Sequence, residues 1–294
     1  MLKFKKMMLD DACVLRSYFE KSTNRFCDFS VGGSVMWRNV YDTEYAILDG
    51  AMYMNFRIGD NERAFSYPIG KPLSETIGNI RAYCESTGIP MIFAALSADE
   101  KDELCSLFPQ SDFLLDRDHS DYIYLGEDLA GLKGKKYATQ RNHINRFLSE
   151  NSDWCFKEIT QENLSLVKEF FERFVKENEK EGFSAQEEIK CVFDVLEKFS
   201  SYGFFGEALF VGDAIVGFFL GECVGDTFIV HIEKSDRNIQ GAYQMLARRE
   251  AEKYCVGNIK YVNREDDAGD EGLRRSKLAY RPAYIAEKYT VIVK

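Results

Sequence analysis

Apolar runs along the chain are broken at regular intervals by Gly, Asp and Pro, and the pattern predicts strands and helices in a definite order. Asp10 or Asp11 caps a helix through about Phe19, with Leu15, Tyr18 and Phe19 inward. Glu44–Leu48 and Ala51–Phe56 flank Asp49-Gly50 and read as a hairpin. A turn at Gly59-Asp60-Asn61 leads to a third strand, Ala64–Tyr67. A helix from Ser74 to Thr87 stops at Gly88 and Pro90. The nearly continuous apolar run Met91–Leu96 predicts a strand buried on both faces. A helix over about Ala98–Leu107 follows, then two short strands, Phe113–Leu115 and Tyr122–Leu125.

A similar order then returns. Trp154–Ile159 reads as a strand, and Leu164, Val167, Phe170, Phe171 and Phe174 form the apolar stripe of a helix. A second helix spans about Ala185–Phe199. Ala208–Val211 and Ala214–Leu220 flank Gly212-Asp213, and Gly225-Asp226 turns the chain into Thr227–Glu233. The polar loop Lys234–Ile239 opens onto a helix, and a strand from Tyr261 ends in the polar cluster Asn263–Asp267. The repeated order predicts an α/β protein (α+β, mixed sheet) of two tandem domains, 1–126 and 151–294, joined by a basic helical linker at 127–150.

Charge narrows the function. A net charge of -10 disfavours broad nucleic-acid binding. Within that acidic chain, Lys133, Lys135, Lys136, Arg141 and Arg146 occur with no acid between Ala130 and Ser149. The segment is either a solvated face or a wall for phosphates. The eight cysteines form no C-x-x-C pair, and His119, His143 and His231 form no H-x-x-x-H pair, so no metal is expected and a reducing compartment is. No apolar run approaches the ~20 residues of a membrane span, and the one at the start is too short for a signal peptide. These features predict a soluble cytoplasmic protein without stable membrane insertion.

Candidate chemistry gathers in the second half. Strand alternation puts Ile229, His231 and Glu233 on one face, so His231 and Glu233 are candidate general bases facing a cleft, or else a polar pair at the surface. Asn263, Arg264, Glu265, Asp266 and Asp267 suit a cationic acceptor or anchor basic side chains; an Asp there equally caps the next helix. Arg274, Arg275 and Lys277 on that helix have the reach for phosphates.

The segments His231–Lys234, Gly241–Gln244, Tyr261–Gly269 and Gly272–Tyr280, with Gly134–Tyr137 and Arg141–Arg146, carry a family resemblance. The chain resembles the GNAT acyltransferases, and more specifically the family that contains the catalytic domain of phosphatidylglycerol lysyltransferase. That family is similar to the Fem-type aminoacyltransferases, which are tandem GNAT proteins. The resemblance implies transfer of an acyl group from an activated donor to an amine or hydroxyl, the acceptor being a small molecule or a lipid headgroup. GNAT enzymes use acyl-CoA such as acetyl-CoA; the lysyltransferase and Fem-type relatives use aminoacyl-tRNA. It also implies a donor loop of the form R/Q-x-x-G-x-G/A, where backbone amides at a helix start cradle pyrophosphate. Arg237, Asn238, Ile239, Gln240, Gly241, Ala242 and Tyr243 stand there, keeping the Arg and the Ala but placing Gln240 where Gly is usual. The other reading of that loop is a helix start with small residues for packing. Tyr280 stands where some GNAT enzymes carry a tyrosine acid. On this reading the second copy holds the donor site, with Lys135, Lys136, Arg141, Arg275 and Lys277 as further substrate-binding candidates. The expected donor is a CoA thioester, which the net charge favours; the alternatives are aminoacyl-tRNA with a tRNA partner, which the basic segment favours, and a non-catalytic binding module, which Gln240 favours.

Overall fold

The structure is a computed structural model that describes residues 1–59, 62–178 and 183–294. Two residues of the expected turn, Asp60 and Asn61, lie outside the described residues. The strands are β1 (Lys5–Lys6), β2 (Glu44–Leu48), β3 (Ala51–Ile58), β4 (Glu62–Phe65), β5 (Ile92–Leu96), β6 (Asp112–Leu125), β7 (Trp154–Glu158), β8 (Phe205–Val211), β9 (Ala214–Val224), β10 (Thr227–Ser235), β11 (Tyr261–Asn263) and β12 (Tyr284–Ile292). The α-helices are α1 (Ala12–Phe19), α2 (Leu73–Thr87), α3 (Ala98–Leu107), α4 (Gly126–Gly131), α5 (Ala138–Glu150), α6 (Leu164–Glu177), α7 (Phe183–Glu197), α8 (Phe199–Tyr202), α9 (Ala242–Tyr254) and α10 (Glu271–Ala279).

The chain forms two compact units. The first comprises Met1–Asp121, Asp266–Asp270 and Ile285–Lys294; the second comprises Tyr122–Glu265 and Glu271–Tyr284. In the first, β2, β3 and β4 pair antiparallel in chain order. The β2–β3 turn uses Asp49 at φ 52° and Gly50 at φ 82°, two positive values in succession, which is why Asp-Gly predicts a tight hairpin. α2 carries the chain across to β5, parallel to β4, and Gly88 ends that helix in the left-handed region at φ 72°. β12 then pairs antiparallel with β5. Tyr53, Phe65, Ile80, Phe93, Leu104 and Val291 form the core between sheet and helices. Each such side chain contributes roughly 1.5–3 kcal/mol by leaving water.

The second unit repeats this plan. β7, β8, β9 and β10 pair antiparallel, and α9 carries the chain to β11, parallel to β10. The last strand to join, β6, pairs antiparallel with β11 through Ile123–Leu125. Phe170 and Phe171 of α6 meet Phe218 of β9 edge-on, with ring centroids 5.9 and 6.4 Å apart.

The order of elements in each half is therefore the predicted one, while the closing strands are exchanged. The strand after α3 ends in the second unit, and the strand after α10 ends in the first. One continuous strand, β6, stands where two short ones were expected, because its apolar and polar stretches share one extended backbone. The basic stretch 127–150 holds α4 and α5 and falls inside the second unit. Among the described residues, no helix is long and apolar enough to cross a membrane.

Candidate active site

In the second unit β10 and β11 pair over three positions only, ending at Ile229 with Asn263. β10 continues to Ser235 along β9. Beyond Asn263, at the carboxyl ends of two parallel strands, polar side chains converge, as open sheets lead one to expect.

The register of β10 on β9 shifts between Val230 and Ile232, which makes His231 the extra residue of a bulge. A bulge breaks the two-residue alternation, so His231 and Glu233 reach different partners. The His231 ring is buried, with Nδ1 2.7 Å from Glu265 Oε1 and Nε2 3.0 Å from Glu222 Oε1. Phe204 lies 5.0 Å from it, ring to ring. Burial alone would lower its pKa, but the hydrogen bonds to Glu222 and Glu265 outweigh that and hold it at about 9. His231 is thus an imidazolium at neutral pH. Both ring nitrogens donate, and it has no lone pair with which to take a proton. The expectation of His231 as a cleft-facing base is corrected by this geometry.

Glu233 has the other set of partners. Its Oε2 is ion-paired with Arg264 Nη2, while Oε1 is buried with no hydrogen-bond partner in the structure. Glu250, inward on α9, is fully buried; neither of its oxygens has a partner, and Oε2 lies 3.8 Å from Arg264 Nε. Burial, then the Glu233 charge, lifts the Glu250 carboxyl well above its usual 4.5, with Arg264 opposing. A carboxyl so raised favours its protonated form, which puts a proton between Glu250 and Glu233. One proton shared by Glu250 and Glu233 accounts for oxygens that otherwise lack donors.

Arg264 packs over the Tyr280 ring at 4.9 Å. Burial pushes the Tyr280 hydroxyl above its usual range despite Arg264, so it stays protonated and available as a donor. The backbone around Arg264 is tied down. Lys277 Nζ donates to the Arg264 carbonyl at 2.6 Å, and Tyr124 Oη donates to the Lys277 carbonyl at 2.8 Å. The buried Asn263 accepts the Glu265 amide at 2.6 Å, and Glu265 sits at φ 56°, an uncommon value away from glycine. That turn sends Arg264 to Glu233 and Glu265 to His231.

In the expected donor loop three backbone amides have acceptors. Arg237, Asn238 and Gln240 are exposed, and Ile239 and Tyr243 are half-buried. The Asn238 amide donates to Asp236 Oδ1 at 2.8 Å, the Ile239 amide to the Asp236 carbonyl at 3.2 Å, and the Ala242 amide to the Ile239 carbonyl at 3.3 Å. Gly241 lies at φ 86°, and a Cβ there would stand 2.2 Å from the His143 carbonyl oxygen of α5. The smallness of Gly241 therefore admits the backbone of α5.

The five-residue cluster divides between the units. Asp266 and Asp267 belong to the first, where Asp267 is buried, accepts the Gly269 amide at 3.0 Å and lies 3.3 Å from Arg117. Asp266 accepts the Ala268 amide at 3.0 Å. Arg275 and Lys135 are exposed. Lys136 pairs with Asp128 at 2.9 Å, and Arg141 donates to the carbonyls of Leu132 and Gly134. The two residues not anticipated are Glu222 and Glu250. Glu250 had a readable signal: Ala242, Leu246 and Glu250 recur every fourth residue, which puts an acid on an apolar stripe.

The first unit holds a different charged cluster. Lys288 Nζ lies 2.5 Å from Asp28 Oδ2, 2.8 Å from Asp121 Oδ1 and 3.6 Å from Cys27 Sγ. The ligand-type atoms of Cys27, Asp28 and Asp121 lie within 4.8 Å of one another, and the Lys288 ammonium is the cation they hold.

A solved structure of a conserved protein from Bacteroides thetaiotaomicron is 33% identical over the whole of both chains, with a TM-score of 0.92. L-PGS from Bacillus licheniformis has the same fold, with a TM-score of 0.65 at 15% identity over 97% of this chain and 92% of that one. An uncharacterized protein of Mycoplasmoides gallisepticum is 26% identical over 176 residues; the chain spans 56% of that relative's length and 59% of its own. Residues 19–292 match the family described as phosphatidylglycerol lysyltransferase, C-terminal. With its two GNAT-like α/β units, the chain belongs to the family of phosphatidylglycerol lysyltransferase C-terminal domains, whose characterised namesake is a transferase.

Proposed function

We propose that the second unit transfers an aminoacyl group from aminoacyl-tRNA to an amine or hydroxyl acceptor. What supports this choice of donor is the family, whose namesake is a lysyltransferase. A CoA pyrophosphate needs free amides at the helix start. Here the Asn238, Ile239 and Ala242 amides already have acceptors, which leaves fewer amides for a pyrophosphate. An aminoacyl ester has no pyrophosphate to seat.

In this mechanism Glu233 Oε1 accepts the proton of the attacking nitrogen or oxygen as the new bond to the ester carbonyl carbon forms. Arg264 and the Tyr280 hydroxyl stabilise the oxyanion. When the ester C–O bond breaks, the proton on Glu233 passes to the departing ribose oxygen, so protons balance without a covalent enzyme intermediate. Glu250 tunes Glu233 through the shared proton. The exposed Lys135 and Arg237 of the same unit offer charge to tRNA phosphates. A lipid headgroup or a small amine or alcohol serves as acceptor.

Deacylation of labelled aminoacyl-tRNA pools tests this, with phosphatidylglycerol vesicles or small amines as acceptors. The expected result is label on the acceptor, with retention weakening steeply as salt rises. Saturable acetyl-CoA binding by calorimetry, without deacylation of any aminoacyl-tRNA, would overturn the reading in favour of a CoA donor. Binding of aminoacyl-tRNA without turnover would make the chain a binding module.

A further inference from the structure

The first unit contains a cavity of about 460 Å³ that the transfer chemistry does not use. That volume falls within the usual range of small-molecule sites, about 300–1,000 Å³. Its apolar wall is Phe29, Ile69 and Pro72. Its charged groups come from three separate elements: Lys21 after α1, Lys71 before α2, and Glu100 in α3.

The lysines are exposed and lightly held. Lys21 Nζ lies over the Tyr18 ring at 4.4 Å, and Lys71 pairs with Glu75 at 3.3 Å with both side chains about half exposed. Exposed pairs of that kind are weak, so a ligand anion competes for Lys71 readily. Glu100 is the opposite case. Its Oε2 accepts the Ser97 amide at 2.7 Å and the Ser97 hydroxyl at 2.9 Å, and its Oε1 accepts from Asn24 at 3.4 Å. The carboxyl is fixed in place and keeps acceptor capacity for one more donor.

From the two ammonium groups, one fixed carboxyl and the apolar wall in this cavity, we infer a binding site for a small zwitterion: an α-amino acid, or a short peptide with both ends free, carrying an apolar side chain. The ligand carboxylate lies between Lys21 and Lys71, its ammonium donates to Glu100, and its side chain covers Phe29 and Ile69. A simple phosphate lacks the ammonium and the apolar body, and leaves Glu100 and the wall unanswered.

Calorimetric titration of the full chain with L-phenylalanine tests the site, using 3-phenylpropanoate and 2-phenylethylamine as analogues that each lack one charge. The expected result is saturable binding of phenylalanine, with each analogue at least about tenfold weaker. The surface pair Lys21→Met and Lys71→Met weakens phenylalanine and phenylpropanoate and leaves phenylethylamine alone. Glu100→Gln weakens phenylalanine and phenylethylamine and leaves phenylpropanoate alone. Glu233→Gln, in the second unit, leaves all three titrations unchanged. No saturable heat up to about 10 mM phenylalanine overturns the inference. So does unchanged affinity in the exposed lysine variants, which alter no buried group. Loss of binding in Glu233→Gln would assign the amino acid to the second unit instead.

Discussion

Each unit buries a basic side chain between two acids, and the two clusters differ in how completely they are satisfied. Around Lys288, Asp28 and Asp121 take the ammonium at hydrogen-bond distance, and Asp121 Oδ2 also accepts the Cys27 amide at 2.7 Å. Around Arg264, Glu233 Oε1, both oxygens of Glu250 and Arg264 Nε are buried with no hydrogen bond except through the one proton that the two carboxyls share, and Arg264 Nε meets Glu250 only at ion-pair distance. A fold gains nothing from buried polar atoms left open, since each costs about 1–3 kcal/mol. Saturation at Lys288 is what a structural pair requires. Incompleteness at Arg264 leaves groups free to bind substrate and move a proton.

Glu233→Gln breaks the comparison most sharply. The amide keeps the size and one acceptor oxygen but has no basic oxygen. Transfer per folded molecule should fall by about 10²–10⁴-fold, the range of a lost general base, and the melting curve should also drop because the buried Arg264 loses its charge partner. Transfer near the wild-type rate would move the base elsewhere.

At Lys288 the expected effect is on stability. Burial lowers the ammonium's pKa, but Asp121 and Asp28 outweigh it and raise it well above its usual range. Lys288→Met leaves Asp121 buried without its cation and should destabilise by about 3–5 kcal/mol in denaturant titration, with transfer per folded molecule unchanged. Adding Asp121→Asn should recover part of the loss. A folded Lys288→Met variant with wild-type stability but no transfer would reverse the roles of the two clusters.

How much of this was legible in the sequence follows from the range of the forces involved. The order of strands and helices rests on local features, such as Asp49-Gly50 and the Gly88 stop, and these need no tertiary information. The exchange of β6 and β12 does need it. β12 carries Lys288 on an inward position, and nothing local says that Asp28 and Asp121 await it. Glu233, Arg264 and Tyr280 were legible as candidates because they lie at or just beyond the ends of regular elements. His231 looked equivalent to Glu233 only while β10 was taken to alternate without a bulge. The Gly241 loop reads from sequence as a cradle or as packing, and that α5 lies against Gly241 is a tertiary fact the sequence does not carry.

A further contrast, between a histidine of each unit, is pH-dependent. His231 has a folded pKa of about 9 against an ordinary value of 6.5. A raised pKa on a base means that the folded state holds the proton more tightly. The stabilisation is complete below about 6.5 and is lost as pH rises through 9, amounting to about 3 kcal/mol over that window. His119, paired with the half-exposed Asp116, is also raised to about 9 and titrates in the same window. The slope of stability against pH should therefore flatten in His231→Gln and change little in His119→Gln, because solvent weakens the exposed pair.

The smallest effect separates Glu250 from a merely structural acid. Burial raises its carboxyl well above 4.5, so the folded state keeps a proton that the unfolded state releases at neutral pH. For such a group, stability falls as pH rises through the unfolded value, because the unfolded chain then binds fewer protons. Glu250→Gln removes that cost. It should be slightly more stable than the wild type near pH 7 and indistinguishable from it near pH 4. The amide still donates to Glu233 Oε1, so the fold and the Arg264 pair stay in place. What it cannot do is share a titrating proton with Glu233. The acid limb of the transfer–pH profile should shift, with KM for the donor unchanged. If Glu250 only filled space, the profile would stay where it was while stability rose, and the open atoms around Arg264 would then be Glu233's alone to explain.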